Sequence, residues 1–204
     1  MKLIYGTKNL AKIDMMQKAV KDLPIEIIGL DAFAVFPNVK EVGNSPLENA
    51  RIKVQEYYKI LQQPIFSCDS GLYIDGKPDE LSPGVYIRRV NGKELSDQEM
   101  IEYYTGLAAE AGGKVKARYR NAISIIINDI LYFENDDEDL ASEEFYITDK
   151  PHDKINPGFP LDSISLEIES GKYHYDIKGQ KNKETKTMKG FHDFFMNLLA
   201  NNMN

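Results

Sequence analysis

Gln63-Pro64-Ile65-Phe66-Ser67-Cys68-Asp69-Ser70-Gly71-Leu72 is the stretch on which the reading of this chain turns. Gln63-Pro64 reads as a loop, and Ile65-Phe66 as the start of a buried strand. An acid and a hydroxyl then arrive together, just before a glycine that lets the backbone turn. From these residues alone Asp69 has two readings. Asp, Ser and Gly start turns for purely local reasons. A carboxylate at the end of a strand is also well placed to hold a metal ion or to orient a water.

Working outward, this strand is the third in an alternating series. Lys2 to Gly6 reads as a first strand, and Leu10, Ile13, Met16 and Val20 recur at helical spacing after it. Ile25 to Leu30 reads as a second strand, followed by a loop from Asp31 to Pro46 that carries Glu41 and Gly43. Pro46 suits the first position of a helix, whose apolar stripe is Leu47, Ala50, Val54, Tyr57 or Tyr58, and Leu61. Glu48, Asn49 and Lys53 are expected on its other faces. Strand, helix, strand, helix, strand is the signature of an α/β fold with an open sheet.

Between the first strand and the first helix lies Gly6-Thr7-Lys8-Asn9-Leu10-Ala11-Lys12. A polar loop at a helix start offers backbone N–H groups and a favourable dipole to an anion. Lys12 in the first turn is poorly placed with respect to that dipole unless an anion is near. Equally, Thr7 or Asn9 can be an N-cap and Lys12 a solvated side chain. The loop is not a Walker A sequence, which needs more glycines and a terminal Gly-Lys-Ser/Thr. Glu41 and Lys53, taken locally, read as an ordinary loop acid and an ordinary surface lysine.

Beyond Leu72, Ser82-Pro83-Gly84 marks a turn and Ser96-Asp97-Gln98-Glu99 a capping box opening a helix to about Ala111. Gly112-Gly113 ends it. Lys116 to Ile127 has the profile of a long central strand, Asn128-Asp129 a turn into Ile130 to Phe133, and Phe145 to Thr148 another strand. Glu134 to Glu144 is densely acidic but lacks the glycine and ligand spacing of an EF-hand, so a solvated, mobile loop is expected. Asn156 to Asp162 is turn-rich and is expected to expose Phe159 and Asp162. Lys178 to Lys189 is a lysine-rich loop, and Phe191 to Leu199 a closing amphipathic helix. His152, His174 and His192 lack the pairing of a zinc helix.

The chain has 204 residues, 42% hydrophobic and 28% charged, which suits one soluble domain. Its formal net charge of -7 argues against a general nucleic-acid binder, while lysines focused in a cleft can still serve a polyphosphate. One cysteine precludes an internal disulfide and fits a reducing compartment. The apolar run at Met1–Gly6 is too short for a signal peptide, and no stretch approaches the roughly 20 apolar residues of a membrane span. A cytoplasmic protein with no membrane partner is expected.

In order along the chain, these local signals resemble the inosine/xanthosine triphosphate pyrophosphatases, which hydrolyse deaminated purine nucleoside triphosphates to monophosphate and pyrophosphate. Thr7-Lys8-Asn9-Leu10-Ala11-Lys12 is similar to that family's Thr-Gly-Asn-x-x-Lys loop, with Lys8 in place of glycine. Glu41-Val42-Gly43 and Glu48-Asn49-Ala50-Arg51-Ile52-Lys53 resemble its acid-x-Gly and Glu-Asn-Ala-x-x-Lys segments. Asp69-Ser70-Gly71-Leu72 matches its catalytic signature, Pro83-Gly84-Val85-Tyr86 the turn after it, and Ala117-Arg118-Tyr119 its Ala-Arg-Phe. Cys68 stands where the family usually has a second acid. Gly158-Phe159-Pro160-Leu161-Asp162 keeps a Phe and an Asp but loses the second aromatic, and Thr187-Met188-Lys189 replaces Ser-His-Arg after the retained Lys183. Lysine cannot reproduce the planar fork of arginine.

The resemblance implies an elongated mixed β-sheet flanked by helices, two lobes around a central nucleotide cleft, one domain over residues 1–204, and a homodimer. It further implies a Mg2+-dependent attack of water on a nucleoside triphosphate. Asp69 would orient or deprotonate the water, and Glu41 and Asp69 would be the metal ligands. Lys12, Lys53 and Lys183 would neutralise phosphate charge; Thr7, Asn9 and Ser70 would position it. Phe159 would stack on the base, Asp162 would contact its edge, and Thr187 and Lys189 would complete the substrate contacts. The altered base segments leave open a pyrophosphatase for another modified or pyrimidine nucleotide. A non-catalytic nucleotide-binding protein on the same scaffold is the alternative of a different class.

Overall fold

A computed structural model describes residues 1–76, 82–90, 92–129, 132–155, 159–177 and 185–202. The chain alternates as the sequence leads one to expect. Strand β1 (Lys2–Tyr5) is followed by α1 (Leu10–Ala19), β2 (Glu26–Gly29), α2 (Pro46–Leu61) and β3 (Ile65–Ile74). After these come a short hairpin, β4 (Arg89–Val90) and β5 (Lys93–Glu94), then α3 (Asp97–Glu110) and β6 (Lys114–Ile126). The chain closes with β7 (Tyr132–Asn135), β8 (Phe145–Thr148), β9 (Ser165–Glu167) and α4 (Lys186–Asn202). The class is α/β with a mixed sheet and flanking helices. No helix among the described residues is long and apolar enough to cross a membrane.

Backbone contacts divide the chain into two compact units. The first comprises Met1–Ser70, Arg120–Ser142 and Glu184–Asn204. In it β1 pairs in parallel with both β2 and β3, and β7 pairs antiparallel with the end of β6. Parallel neighbours need long crossovers, which α1 and α2 supply. The period of two along β1 then sorts the core. Leu3 and Tyr5 face a cluster built with Met16 of α1 and Phe191, Phe195 and Leu198 of α4, whereas Ile4 faces Val54 and Tyr57 of α2. Phe66 stacks on Tyr5 at 4.5 Å and meets Phe195 edge-on at 5.2 Å. Each such side chain contributes roughly 1.5–3 kcal/mol by leaving water.

The second unit comprises Gly71–Tyr119 and Glu143–Lys183. There β6 pairs antiparallel with β8, and β8 with β9, under a core of Met100, Ile101, Tyr104 and Ala108 from α3 with Phe145, Ile147, Leu161 and Ile164. The capping box forms as read: Ser96 Oγ accepts from Glu99 N–H, and Glu99 accepts from Ser96 N–H at 2.8 Å.

Several expectations are corrected. Gly71 does not turn the backbone, because β3 continues through it to Ile74. Instead it lets another chain segment approach closely. Leu72 exchanges both backbone hydrogen bonds with Gly84, and a Cβ on Gly71 would lie 3.0 Å from the Gly84 carbonyl carbon. Asn49 and Lys53 belong to the buried face of α2, not to its other faces. They share that face with Pro46, Ala50, Val54 and Tyr57, a helical spacing into which a paired lysine can be admitted. Leu10, by contrast, heads the expected stripe of α1 but is exposed. The acidic run is anchored: Glu138–Leu140 forms a 3-10 turn that buries Leu140 in the core of the first unit. Among the described residues no group of three potential ligands could hold a metal ion. Finally, α4 starts at Lys186, so Thr187 and Lys189 stand on a helix and not in a loop. Phe159 and Asp162 are half-buried, not exposed.

Candidate active site

The first unit carries a cavity of about 490 Å³, walled in part by Thr7, Lys8, Lys12, Glu41, Lys53 and Asp69. Three sequence elements that are distant along the chain therefore meet: the loop after β1, the loop before α2 with α2 itself, and the middle of β3.

The loop after β1 is braced from within. Asn9 is the N-cap of α1, its Oδ1 accepting from the N–H groups of Ala11 at 3.0 Å and Lys12 at 3.3 Å. Thr7 Oγ1 accepts from Asn9 N–H at 3.2 Å. Asn9 is thus spent on fixing the loop and does not line the cavity. Gly6 is held down hard against β3, since a Cβ there would overlap Ser67 Oγ and the Tyr57 ring.

The loop before α2 is tied to the helix that follows it. Asn49 Oδ1, buried, accepts from Gly43 N–H at 2.8 Å. Glu48 Oε2 accepts from Asn44 N–H at 2.7 Å. These two side chains set the path of the segment that delivers Glu41, a role for Asn49 that sequence reading missed. Its signal was the adjacency of Glu48-Asn49 to a loop glycine.

At the centre is Lys53. Its Nζ donates to Asp69 Oδ1 at 3.1 Å, to Cys68 O at 3.2 Å and to Glu41 Oε1 at 3.4 Å, so all three of its protons have acceptors. Burial works against the ammonium, but Asp69 and Glu41 outweigh it and hold the Lys53 pKa above that of a free lysine. The strand period puts Asp69 on the α2 side of the sheet. Ser70 faces the other way, where its hydroxyl donates to Asn121 Oδ1 at 2.7 Å, and Asn121 in turn donates to Leu140 O at 2.7 Å. Ser70 therefore does not line the cavity. Cys68 is buried, and burial pushes its thiol up to about 12.

The remaining sequence candidates lie elsewhere. Thr187 Oγ1 donates to Ala141 O at 3.2 Å, and Lys189 Nζ pairs with Asp193 at 2.5 Å; neither lines the cavity. In the second unit, Asp162 sits on the 3-10 turn Pro160–Ile164, which follows Phe159. Tyr119, stacked at 5.5 Å on Phe145, has its phenol pushed up by burial and by the Asp162 carboxylate. Leu161 is buried in the core of that unit. Lys183 lies outside the described residues.

The carboxylates fit a hard cation by their chemistry. Glu41 and Asp69 present oxygen donors on either side of one ammonium, and magnesium commonly takes one or two carboxylates and completes its shell with waters and phosphate oxygens.

Comparison with known proteins follows the same line. The profile of the Ham1 family matches residues 3–146. A dITP/XTP pyrophosphatase of Leptospira interrogans is 32% identical over 148 residues, covering 70% of this chain and 72% of that protein. Among solved structures, a HAM1 protein from Coxiella burnetii superposes with a TM-score of 0.76 at 24% identity, covering 98% of this chain and 99% of its own. The Ham1 protein of Staphylococcus aureus gives 0.74 at 20% identity, covering 99% and 100%. At those identities the two structures speak for the fold.

Proposed function

The chain belongs to the Ham1 family, and from that premise we propose that it is a nucleoside triphosphate pyrophosphohydrolase acting on deaminated purine nucleotides. The reaction is attack of water on the α-phosphorus of ITP, dITP or XTP, breaking the α–β anhydride bond and releasing monophosphate and diphosphate. Such an enzyme clears deaminated bases from the nucleotide pool. The observation that carries the reading is Lys53 held between Asp69 and Glu41 on the wall of the cavity beside the β1–α1 loop.

In this reading Asp69 accepts a proton from the water or orients it, and Lys53 fixes the Asp69 carboxylate while meeting phosphate charge. Lys12 and Lys183 add positive charge, Thr7 contacts phosphate directly, and Asn9 contributes by holding the loop N–H groups in place. Ser70 acts on Asp69 through the strand it shares with it. Phe159 stacks on the base, Asp162 contacts its edge, and Thr187 and Lys189 complete the substrate contacts. Glu41 and Asp69 hold Mg2+, which when bound supplies Lewis-acid stabilisation of phosphate charge. The rate comes from alignment and charge stabilisation, with no covalent intermediate. The same reading takes residues 1–204 as one catalytic domain, a homodimer by family resemblance, and a cytoplasmic setting, which suits the single buried thiol. The net charge of -7 favours a nucleotide over nucleic acid as partner.

A second base preference is favoured by one observation. Position 189 is a lysine, which pairs at the surface with Asp193, and Leu161 is buried in the core of its unit, so the segments that differ from the family pattern offer no planar fork and no second aromatic. Pyrophosphate release measured with Mg2+ across ITP, XTP, dUTP and the common triphosphates separates the readings. Release from ITP and XTP above all others is expected. Preference for dUTP would transfer the activity to another base, and no release from folded protein would leave a binding protein.

A further inference from the structure

Lys8 occupies the position at which the resemblance gives glycine, and the structure gives it a definite place. Its ammonium lies 4.1 Å from the centroid of the Phe36 ring. Lys8 belongs to the loop after β1 and Phe36 to the loop before α2, so the contact bridges two walls of the cavity that both residues line. Lys53 is committed to Asp69 and Glu41. Neither Lys8 nor Lys12 makes an ion pair among the described residues. Among the described lining residues the cavity thus holds three ammonium groups, Lys8, Lys12 and Lys53, against two carboxylates, Glu41 and Asp69. Without Lys8 the two signs cancel.

A concave surface focuses such an excess charge onto an incoming anion. An exposed lysine ordinarily loses much side-chain freedom on grasping a phosphate. A ring face beneath the ammonium holds it near the cavity in advance, at little cost, because the attraction is to the ring quadrupole and leaves the positive charge without a counter-ion among the described residues. We propose that Lys8, poised over Phe36, is an additional substrate-binding residue that contacts the phosphate chain and strengthens the preference for longer phosphate chains. The nucleotide as natural ligand rests on the pyrophosphatase reading; the binding of a polyanion does not.

The test is calorimetric titration of inorganic tripolyphosphate and of orthophosphate into the whole protein and its Lys8→Gly, Lys8→Arg and Phe36→Leu variants. For Lys8→Gly the tripolyphosphate Kd is expected to rise about two- to fivefold at low salt, as for one exposed charge pair. The orthophosphate Kd should change less, and the difference should shrink at high salt. Lys8→Arg should bind like the parent, and Phe36→Leu should shift in the same direction as Lys8→Gly. Equal tripolyphosphate affinity in parent and Lys8→Gly, both folded by circular dichroism, would overturn the assignment. Lys8-dependent binding in a protein that hydrolyses no nucleotide would sink the pyrophosphatase reading and uphold the role of Lys8. Brisk hydrolysis with Lys8-independent binding would do the reverse.

Discussion

Replacing Lys53 by methionine removes one charge from the centre of the site and keeps most of the stem volume. Lys53 is 7% exposed and Asp69 8%, so their contact at 3.1 Å is a buried ion pair. Taking away one partner of such a pair costs roughly 3–5 kcal/mol, because the other charge is left without compensation. Two features pull the value toward the lower bound. The Glu41 side chain is 41% exposed, so water takes over its share of the loss. Methionine also refills the space along the α2 face, so no large cavity opens. A loss of about 3 kcal/mol is expected, equivalent to a fall in Tm of about 6–12 °C at this chain length. The pair is tested by a cycle of four proteins in thermal or urea unfolding: parent, Lys53→Met, Asp69→Asn and the double variant. The double variant should be more stable than the sum of the singles predicts by about 1–2 kcal/mol, since it leaves no orphaned charge. A loss below about 1 kcal/mol for Lys53→Met, or strict additivity, would refute the buried-pair account.

Two further predictions follow from the same neighbourhood. Asn49→Ala removes the buried hydrogen bond from Gly43 N–H to Asn49 Oδ1 and should cost about 1–3 kcal/mol in urea unfolding. Because the loop also carries Glu41, KM for the nucleotide should rise as well, and an unchanged KM would detach Asn49 from the site. Cys68, its thiol raised by burial to about 12, should resist alkylation in native protein at mildly alkaline pH and react fully in denaturant. Its folded pKa lies above the unfolded value of 9.0, so the stability it contributes is complete below that pH. That contribution is lost as pH rises toward about 12, and a Cys68→Ala variant should lose less stability than the parent over this interval.

The α/β class was legible because the strands and helices announce themselves by period: two along Leu3-Ile4-Tyr5, and helical after Asn9 and Pro46. A cap at Thr7 or Asn9, Pro46 at a first helical position and the capping box at Ser96 marked the helix starts; in the structure Asn9, Ser45 and Ser96 are the caps, each bonding within its first turn. What sequence period could not show is which polar residues are drawn inside. Lys53 and Asn49 read as surface residues because a polar side chain on a buried face is admitted only by its tertiary partners, here Asp69, Glu41 and Gly43 N–H. Asp69 was legible as an acid at a strand, yet Gly71 misled, since a glycine that permits a turn also permits the close approach of Gly84. The resemblance puts Ser70 at the phosphate beside Asp69, whereas the strand period separates the two onto opposite faces and Ser70 bonds to Asn121. Leu140 shows the converse: an acidic run dominates its composition, while one apolar residue within it decides its position.

In the proposed reaction Asp69 handles the attacking water at the cavity wall. The most direct test of that role is single-turnover hydrolysis of ITP with Mg2+ by the Asp69→Asn variant, with equilibrium binding of the nucleotide measured alongside. Loss of a positioned general base lowers turnover by about 10²–10⁴-fold, and the account predicts a fall in that range with nucleotide affinity little changed. Turnover equal to that of the parent, at comparable binding, would contradict it.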